Sequence, residues 1–570
     1  MLNIVISLLA VAAAASALQD AASSNGSTTS TMPFELTVED LWDIWVGPVT
    51  ESSINTTVAA TPIPPNSLIP PPPIYYSPWP PGAQQPLEMK NESWSFPKDF
   101  LWGVAGAAFQ IEGAVKDGGR GPCIWDVLGH RVTDFTTNNY TADVTNNNYY
   151  MYKQDIARIA AMGVKAYSFS LSWSRIMPFG RGPVNTEAID HYNDVINTCL
   201  EYNIVPIVTL YHWDLPLYLQ NTYGGWLSEE IVPDFVAYAR LAYTAFGDRV
   251  KNWYTVNEPV VFCDTYPLPA NYFKDSTIPT KHQPWVCGHS VLLAHSQAYH
   301  LGKSMMPDST ISYKNNGGYK IPLTNSSADA EAVERAWDFG EGWFSEPIYA
   351  TGDYSPNVKA YVSTFLRDFT AEEKAAILGS ADNYAIDGYT SQFNMAPDSG
   401  IATCVRNESH PFHPTCANTS YTYSAEAGGW AIGTFADLGA TWLHKGTEWV
   451  PIYLRYLADR WAGPLPVVVS EFGFAEPYES LKTVLADILY DSLRSSYFRD
   501  YMRGILIALS EGVNVAGCLA WSFYDNFEWS QGFSTKFGMQ YVNFSDPQLP
   551  RYYKASFFEY KHAFDVYQEK

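Results

Sequence analysis

From Trp94 onward, short apolar runs alternate with stretches in which apolar residues recur at helical spacing. The runs are Phe100–Ala105, Ala166–Leu171, Val205–Tyr211, Trp253–Val256, Thr310–Tyr313, Tyr384–Asp387, Val467–Ser470 and Val515–Trp521. They have strand length and many β-branched or aromatic residues, the pattern of strands buried on both faces in a parallel sheet. Between several of them, Met151–Met162, Glu187–Tyr202 and Glu229–Phe246 carry the period of amphipathic helices. Eight strands with intervening helices predict an α/β fold, a (β/α)8 TIM barrel forming a single domain over residues 94–570. That span exceeds the ~250 residues typical of the fold, so the βα loops must be long.

The pattern before Trp94 is different. Residues 1–17 hold a short apolar stretch closed by Ala15-Ser16-Ala17, as in a secretory signal peptide. Residues 18–93 are rich in Ser, Thr, Ala and Pro and end in "PPNSLIPPPPIYYSPWPPG", which reads as a largely disordered linker. Within it, "FELTVEDLWDIWVG" (34–47) is amphipathic, a transient helix or a docking segment. No later apolar run is long enough for a membrane span. The expected state is secreted and extracellular, with cell-wall association through the linker as one use for it.

Sequons at Asn25, Asn55, Asn91, Asn139, Asn325, Asn407, Asn418 and Asn543 agree with export. The seven cysteines permit disulfides there. Cys404 and Cys416 flank one loop-like stretch, and Cys263 and Cys287 flank another, so these are the expected pairs. Cys123, Cys199 and Cys518 are then buried thiols. Neither CxxC nor zinc-like His/Cys spacing occurs, so no metal and no cofactor is expected.

The formal charge of −24 argues against a nucleic-acid partner, which needs clustered cations. Aromatic residues make up 15% of the chain, enough for a large core and equally for platforms under sugar rings. In a barrel of this kind the active site lies at the C-terminal ends of the strands. The polar or aromatic residues there are Gln110, Arg175, His212, Asn257, Glu258, Tyr389, Glu471 and Trp521, which cover every strand but the fifth. Glu471 closes the run "PVVVSEFG" (466–473). A carboxylate at the end of a buried strand either has a cationic partner or faces a cleft. Glu258 closes "WYTVNEP" (253–259) three strands earlier, so the two glutamates can face one another across the barrel. Two opposed carboxyls are the minimum for cleaving a glycosidic bond.

On these motifs, together with "FLWGVAGAAFQIEGA", "YHWDLP" and "AWSFYDNFEWSQGF", the chain from Trp94 to Lys561 resembles glycoside hydrolase family 1, the β-glucosidase family, and reads as a secreted, fungal-like member. The resemblance implies a retaining enzyme acting on a small-molecule β-glycoside, with Glu258 as acid/base and Glu471 as nucleophile. It implies that Tyr389 hydrogen-bonds Glu471 and that Arg175 is a cation beside it. It also implies substrate contacts from Gln110, His212, Trp213, Asn257, Trp442, Trp521, Glu528 and Trp529. The intact "NFEW" points to a neutral rather than a 6-phosphorylated sugar, and the retained Glu258 argues against the thioglucosidase branch. The expected activity is removal of terminal non-reducing β-D-glucosyl units from cellobiose, short oligosaccharides or aryl and alkyl glucosides. A β-galactosidase, β-fucosidase or transglycosylase of the same family is the alternative, and a non-catalytic sugar-binding relative a more distant one.

The chain departs from the family pattern in places. Phe472 stands where Asn is usual, Asp387 and Gly388 where Asn and an aromatic are common, and Cys518 where Tyr is common. Asp387 is a third carboxylate near the sixth strand, able to raise a neighbour's pKa.

Overall fold

Eight of the apolar runs become parallel strands, and the computed structural model describes them within residues 36–71, 94–421 and 431–569. The strands are β1 (Leu101–Gly106), β2 (Ala166–Ser170), β3 (Val205–Tyr211), β4 (Asn252–Asn257), β5 (Thr310–Pro322), β6 (Tyr384–Met395), β8 (Val467–Phe472) and β9 (Val515–Ala520). A short strand, β7 (Asn418–Ser420), lies antiparallel on the outer end of β6. Neighbours run β5-β4-β3-β2-β1-β9-β8-β6, and pairing of β5 with β6 closes the ring. Helices such as Thr186–Glu201, Ile231–Phe246 and Ser492–Ser510 pack outside it. The architecture is the expected (β/α)8 barrel.

Inward-facing side chains fill the lower barrel rather than leaving a pore. Ala166, Ile207, Tyr254, Ala385 and Leu519 form one buried cluster there. The outward-facing side chains join the helices in a single large core. Val467 and Val469 are fully buried, as a strand covered on both faces requires. Gly473, just beyond β8, leaves no room for a side chain: a Cβ there would lie 1.9 Å from the Trp521 carbonyl oxygen. Any side chain would push the end of β8 away from the end of β9.

Two strands run well past their apolar runs. β5 continues through "KNNGGYKIP" and β6 through "GYTSQFNM", paired with each other after a register shift at Gly317 and Gly318. These stretches alternate poorly in hydrophobicity because they stand above the barrel as a two-stranded ribbon. Backbone pairing holds them as strands, and Phe393 packs with Leu323 and Ile432 in a small apolar cluster of its own.

The N-terminal segment corrects an expectation. Residues 36–71 were expected to belong to a largely disordered linker, but they lie against the barrel. Helix Val38–Trp45 opens with a capping box between Thr37 and Asp40 and buries Leu41 and Trp42. Trp42 Nε1 donates to the Arg120 carbonyl oxygen at 2.8 Å. Beyond the helix the chain is extended. Thr50 N donates to Asp143 Oδ2 at 2.7 Å, Val58 N to the Tyr150 carbonyl at 2.8 Å and Thr61 N to Gln154 Oε1 at 2.7 Å. Composition concealed this, because a few apolar side chains and backbone hydrogen bonds to the barrel anchor a segment that is otherwise polar. The expected signal peptide, residues 18–35 and residues 72–93 lie outside the described residues.

Both expected disulfides are formed, Cys263–Cys287 and Cys404–Cys416. The first ties helix Pro259–Asp264, directly after Glu258, to the long helix Gln283–Met305. Cys123, Cys199 and Cys518 are buried free thiols. Among the described residues, no helix is long and apolar enough to cross a membrane.

Candidate active site

A cavity of about 560 Å³ opens at the C-terminal end of the barrel. Glu258 and Glu471 both line it, with His212, Trp213, Tyr389, Trp442, Trp521, Glu528 and Trp529. Residues separated by hundreds of positions converge here because every parallel strand delivers its last residue to the same rim. Glu258 sits at the turn from β4 into helix Pro259–Asp264, with φ 46° and ψ 63°. Trp213 and Trp529 also have positive φ, 76° and 50°. Left-handed backbone at three non-glycine residues of one cavity is strain that the surrounding packing must hold.

The two glutamates are close. One oxygen each from Glu258, Asp387 and Glu471 lies within 4.8 Å of the others. Glu471 accepts from Tyr389 OH at 3.0 Å through Oε2, and its Oε1 lies 3.0 Å from Lys314 Nζ. Lys314 stands on β5, and its backbone carbonyl accepts from Glu258 N at 2.9 Å. Such carboxylate spacing could also suit a divalent cation, but the Lys314 ammonium already supplies the positive charge at Glu471.

Burial divides the acids. Burial above all, then Asp387 and Glu471, pushes the Glu258 carboxyl well above the usual range. Glu528 is pushed up to about 8, first by burial and then by Glu471. Burial, and then Lys314, holds His212 well below the usual imidazole range, so its ring is neutral. A neutral carboxyl therefore stands opposite an ion-paired one: the first can give a proton, the second can attack or accept one.

The cavity wall is aromatic. Trp529 stacks on Trp213 with ring centroids 4.4 Å apart, and His212 lies parallel to Trp521 at 5.9 Å. Trp442 is 44% exposed at the mouth and meets the Tyr389 ring edge-on at 5.6 Å. Behind the wall, Gln110 Nε2 donates to the Phe527 carbonyl at 3.0 Å and approaches Glu528 Oε2 at 3.5 Å. Trp213 Nε1 donates to the Asn257 carbonyl at 3.0 Å, and Asn257 Nδ2 pairs with His212 Nε2 at 3.3 Å. Gln110 Oε1 and Asn257 Oδ1 are buried without a hydrogen-bond partner, unusual for acceptors in a folded protein.

Residues 92–567 match the family model described as Glycosyl hydrolase family 1. The chain belongs to this family. It is 37% identical over 491 residues to Beta-glucosidase 6 of Oryza sativa subsp. japonica, covering 81% of this chain and 89% of that protein. It resembles the crystal structure of a β-glucosidase from the fungus Humicola insolens in complex with glucose, with TM-score 0.77, 34% identity, and coverage of 84% of this chain and 100% of that one. A rice β-glucosidase mutant in a covalent complex with Glc is similar at TM-score 0.76 and 34% identity, with coverage of 84% and 100%. Plant and fungal proteins are thus alike in similarity, and the likeness singles out no fungal branch.

As a member of family 1 the protein is a glycosidase, and its site departs from the sequence-based expectation at one residue. Arg175 is not beside Glu471. Its Nε donates to Glu112 Oε2 at 2.9 Å, and its other nitrogens bond the carbonyls of Gly113, Ala114 and Asp117. Glu112, two residues beyond Gln110, takes the Nε bond and the loop carbonyls take the rest of the guanidinium, so Arg175 braces the loop after β1. The cation at Glu471 is Lys314, from the one strand for which the sequence offered no candidate. Glu471 therefore has both things a carboxylate at the end of a buried strand could have, a cationic partner and a cleft. The signal was present: "TISYKNNGG" places a lysine directly after an apolar run, where a solvent-facing loop residue was the simpler assumption. Phe472 does not reach the cavity. It is fully buried and stacks on Tyr501 at 4.4 Å, replacing a polar residue with core.

Proposed function

We propose that this glycosidase is a retaining β-glucosidase that removes terminal non-reducing β-D-glucosyl units from cellobiose, short oligosaccharides or aryl and alkyl glucosides. The observation that carries the reading is the approach of Glu258 and Glu471 oxygens to within 4.8 Å of one another. Retaining enzymes hold their carboxyls about 5–5.5 Å apart, whereas inverting ones need about 6.5–9.5 Å for a water.

In the first step Glu471 attacks the anomeric carbon as the bond to the aglycone oxygen breaks, and Glu258 gives that oxygen its proton. The products are a glycosyl ester on Glu471, a free aglycone and an ionised Glu258. In the second step Glu258 takes a proton from water, the hydroxide oxygen bonds to the anomeric carbon, and Glu471 leaves as carboxylate. Tyr389 and Lys314 hold Glu471 and balance its charge before the first step and after the second. Gln110, His212, Asn257, Glu528 and Trp529 would read the sugar hydroxyls, and Trp521 the ring face. The covalent complex of the rice relative with Glc supports an ester intermediate, and the glucose complex of the Humicola insolens relative supports glucose as the glycone.

The test is hydrolysis of aryl β-glucoside, β-galactoside and β-fucoside by the purified protein, with proton NMR of the first sugar anomer released. β-Glucose appearing first, and the highest kcat/KM for the glucoside, is the expected result. The α-anomer first, or no hydrolysis from acid to neutral pH, would sink the reading. A higher kcat/KM for the galactoside or fucoside would move the glycone assignment.

Export is part of the proposal. Two disulfides fit an oxidising compartment, and Asn55, Asn139, Asn325 and Asn407 are exposed where sugars could be added. Secreted protein that shrinks on endoglycosidase treatment supports it, and an unchanged cytosolic band refutes it.

A further inference from the structure

Asp387 brings a third carboxylate to the point where Glu258 and Glu471 meet. The β6–β8 register sets it directly beside Glu471. It is 1% exposed, accepts from Ser470 Oγ at 2.6 Å through Oδ1, and has no partner on Oδ2. The groups facing it come from every element packed around it. They are Tyr254 on β4 and Glu258 beyond it, Lys314 and Asn316 on β5, Ser470 and Glu471 on β8, and Tyr389 on its own strand. From outside the barrel, Tyr501 on helix Ser492–Ser510 donates to the Gly388 carbonyl at 2.7 Å.

Three carboxyls and one ammonium in a buried space cannot all be charged together. The ammonium stands against Glu471. Between the other two, Asp387 is intrinsically the stronger acid and receives the Ser470 hydroxyl, which favours its charged form. Asp387 therefore gives up its proton before Glu258 does. Once charged, it makes ionisation of Glu258 harder.

We propose that Asp387 is a positioning residue for this reaction, acting through Glu258: its negative charge holds the proton on the acid carboxyl and extends activity toward higher pH. The inference rests on Glu258 being the acid. Asp387 stands after burial and ahead of Glu471 among the causes that raise the Glu258 carboxyl, in keeping with this geometry. The Asp387 carboxyl is itself pushed up, first by burial and then by Glu471, while Lys314 and the Ser470 hydroxyl favour its charged form. The alkaline limb then belongs to the pair rather than to Glu258 alone.

The test is the pH profile of kcat/KM on an alkyl β-glucoside, whose poor leaving group needs the proton, for wild type, Asp387→Asn and Asp387→Glu. Asp387→Asn should move the alkaline limb down by about one pH unit, a loss of about tenfold at a fixed pH beyond it. Asp387→Glu, which keeps the charge, should restore the limb. If Asp387→Asn fails to fold by circular dichroism, Asp387→Ser is read in the same way. A profile that drops evenly at all pH values with its limb in place would make Asp387 merely structural and overturn the inference, leaving the glucosidase reading intact. A wild type without hydrolysis would overturn both.

Discussion

Lys314 Nζ lies 3.0 Å from Glu471 Oε1, and both side chains are nearly sealed from solvent, at 2% and 4% exposure. A buried ammonium–carboxylate pair at the floor of a cavity is costly to form and more costly to break from one side. Lys314→Met would leave the Glu471 charge without its partner. kcat/KM should then fall by about tenfold or more, because the carboxylate has lost the ammonium that holds it. The same variant should lose about 3–5 kcal/mol of stability at neutral pH, measured by urea unfolding. An unchanged kcat/KM in the folded variant would show that the lysine serves only the fold.

Glu471→Ala should abolish turnover, since it removes the carboxylate proposed to form the glycosyl ester. Azide should restore some reaction and give an α-glycosyl azide, because it enters from the face that Glu471 occupied. Glu258→Gln should lower kcat/KM on alkyl glucosides by about 10²–10⁴. With azide it should give the β-product instead. Exchange of these two product anomers would reverse the assignments.

Arg175→Met should behave as a structural change. It removes one side of the buried pair with Glu112 and takes a donor from three loop carbonyls, of which those of Ala114 and Asp117 keep a backbone N–H. A loss of about 3–5 kcal/mol is expected, with both pH limbs unmoved. Movement of the acid limb would instead tie Arg175 to the nucleophile.

Stability should depend on pH through Glu528. Its folded-state value, about 8, is above the unfolded one. The stabilisation is therefore complete below about pH 4, falls as pH rises, and is gone above about pH 8. The contribution is on the order of 5 kcal/mol. The melting temperature should fall from about pH 5 to pH 8, and Glu528→Gln should flatten that slope. A wild-type curve already flat over this range would remove the basis for the prediction.

Trp42→Ala should release the N-terminal segment. The side chain is fully buried and its indole is bonded to the Arg120 carbonyl. A cost of about 3–5 kcal/mol is expected, read as faster hydrogen exchange and earlier proteolysis within residues 36–71. The pH limbs should not move.

The sequence carried much of this. A run such as "PVVVSEFG" has one physical solution, a strand covered on both faces, and eight such runs with helices between them leave little but a closed barrel. The barrel in turn sends strand ends to one rim, so Glu258 and Glu471 could be paired before any coordinates. The cysteine pairs were legible because each flanks a loop.

Other features were decided only by the tertiary structure. Arg175 and Lys314 are both cations near strand ends, and which one reaches Glu471 depends on distances of a few ångströms between side chains from different strands. The seat of residues 36–71 depends on the Arg120 carbonyl and the Asp143 and Gln154 side chains being placed to receive its hydrogen bonds. Local periodicity records what a segment can bury. It does not record which partner wins a competition among buried charges, because that is set by the geometry of the whole closed ring.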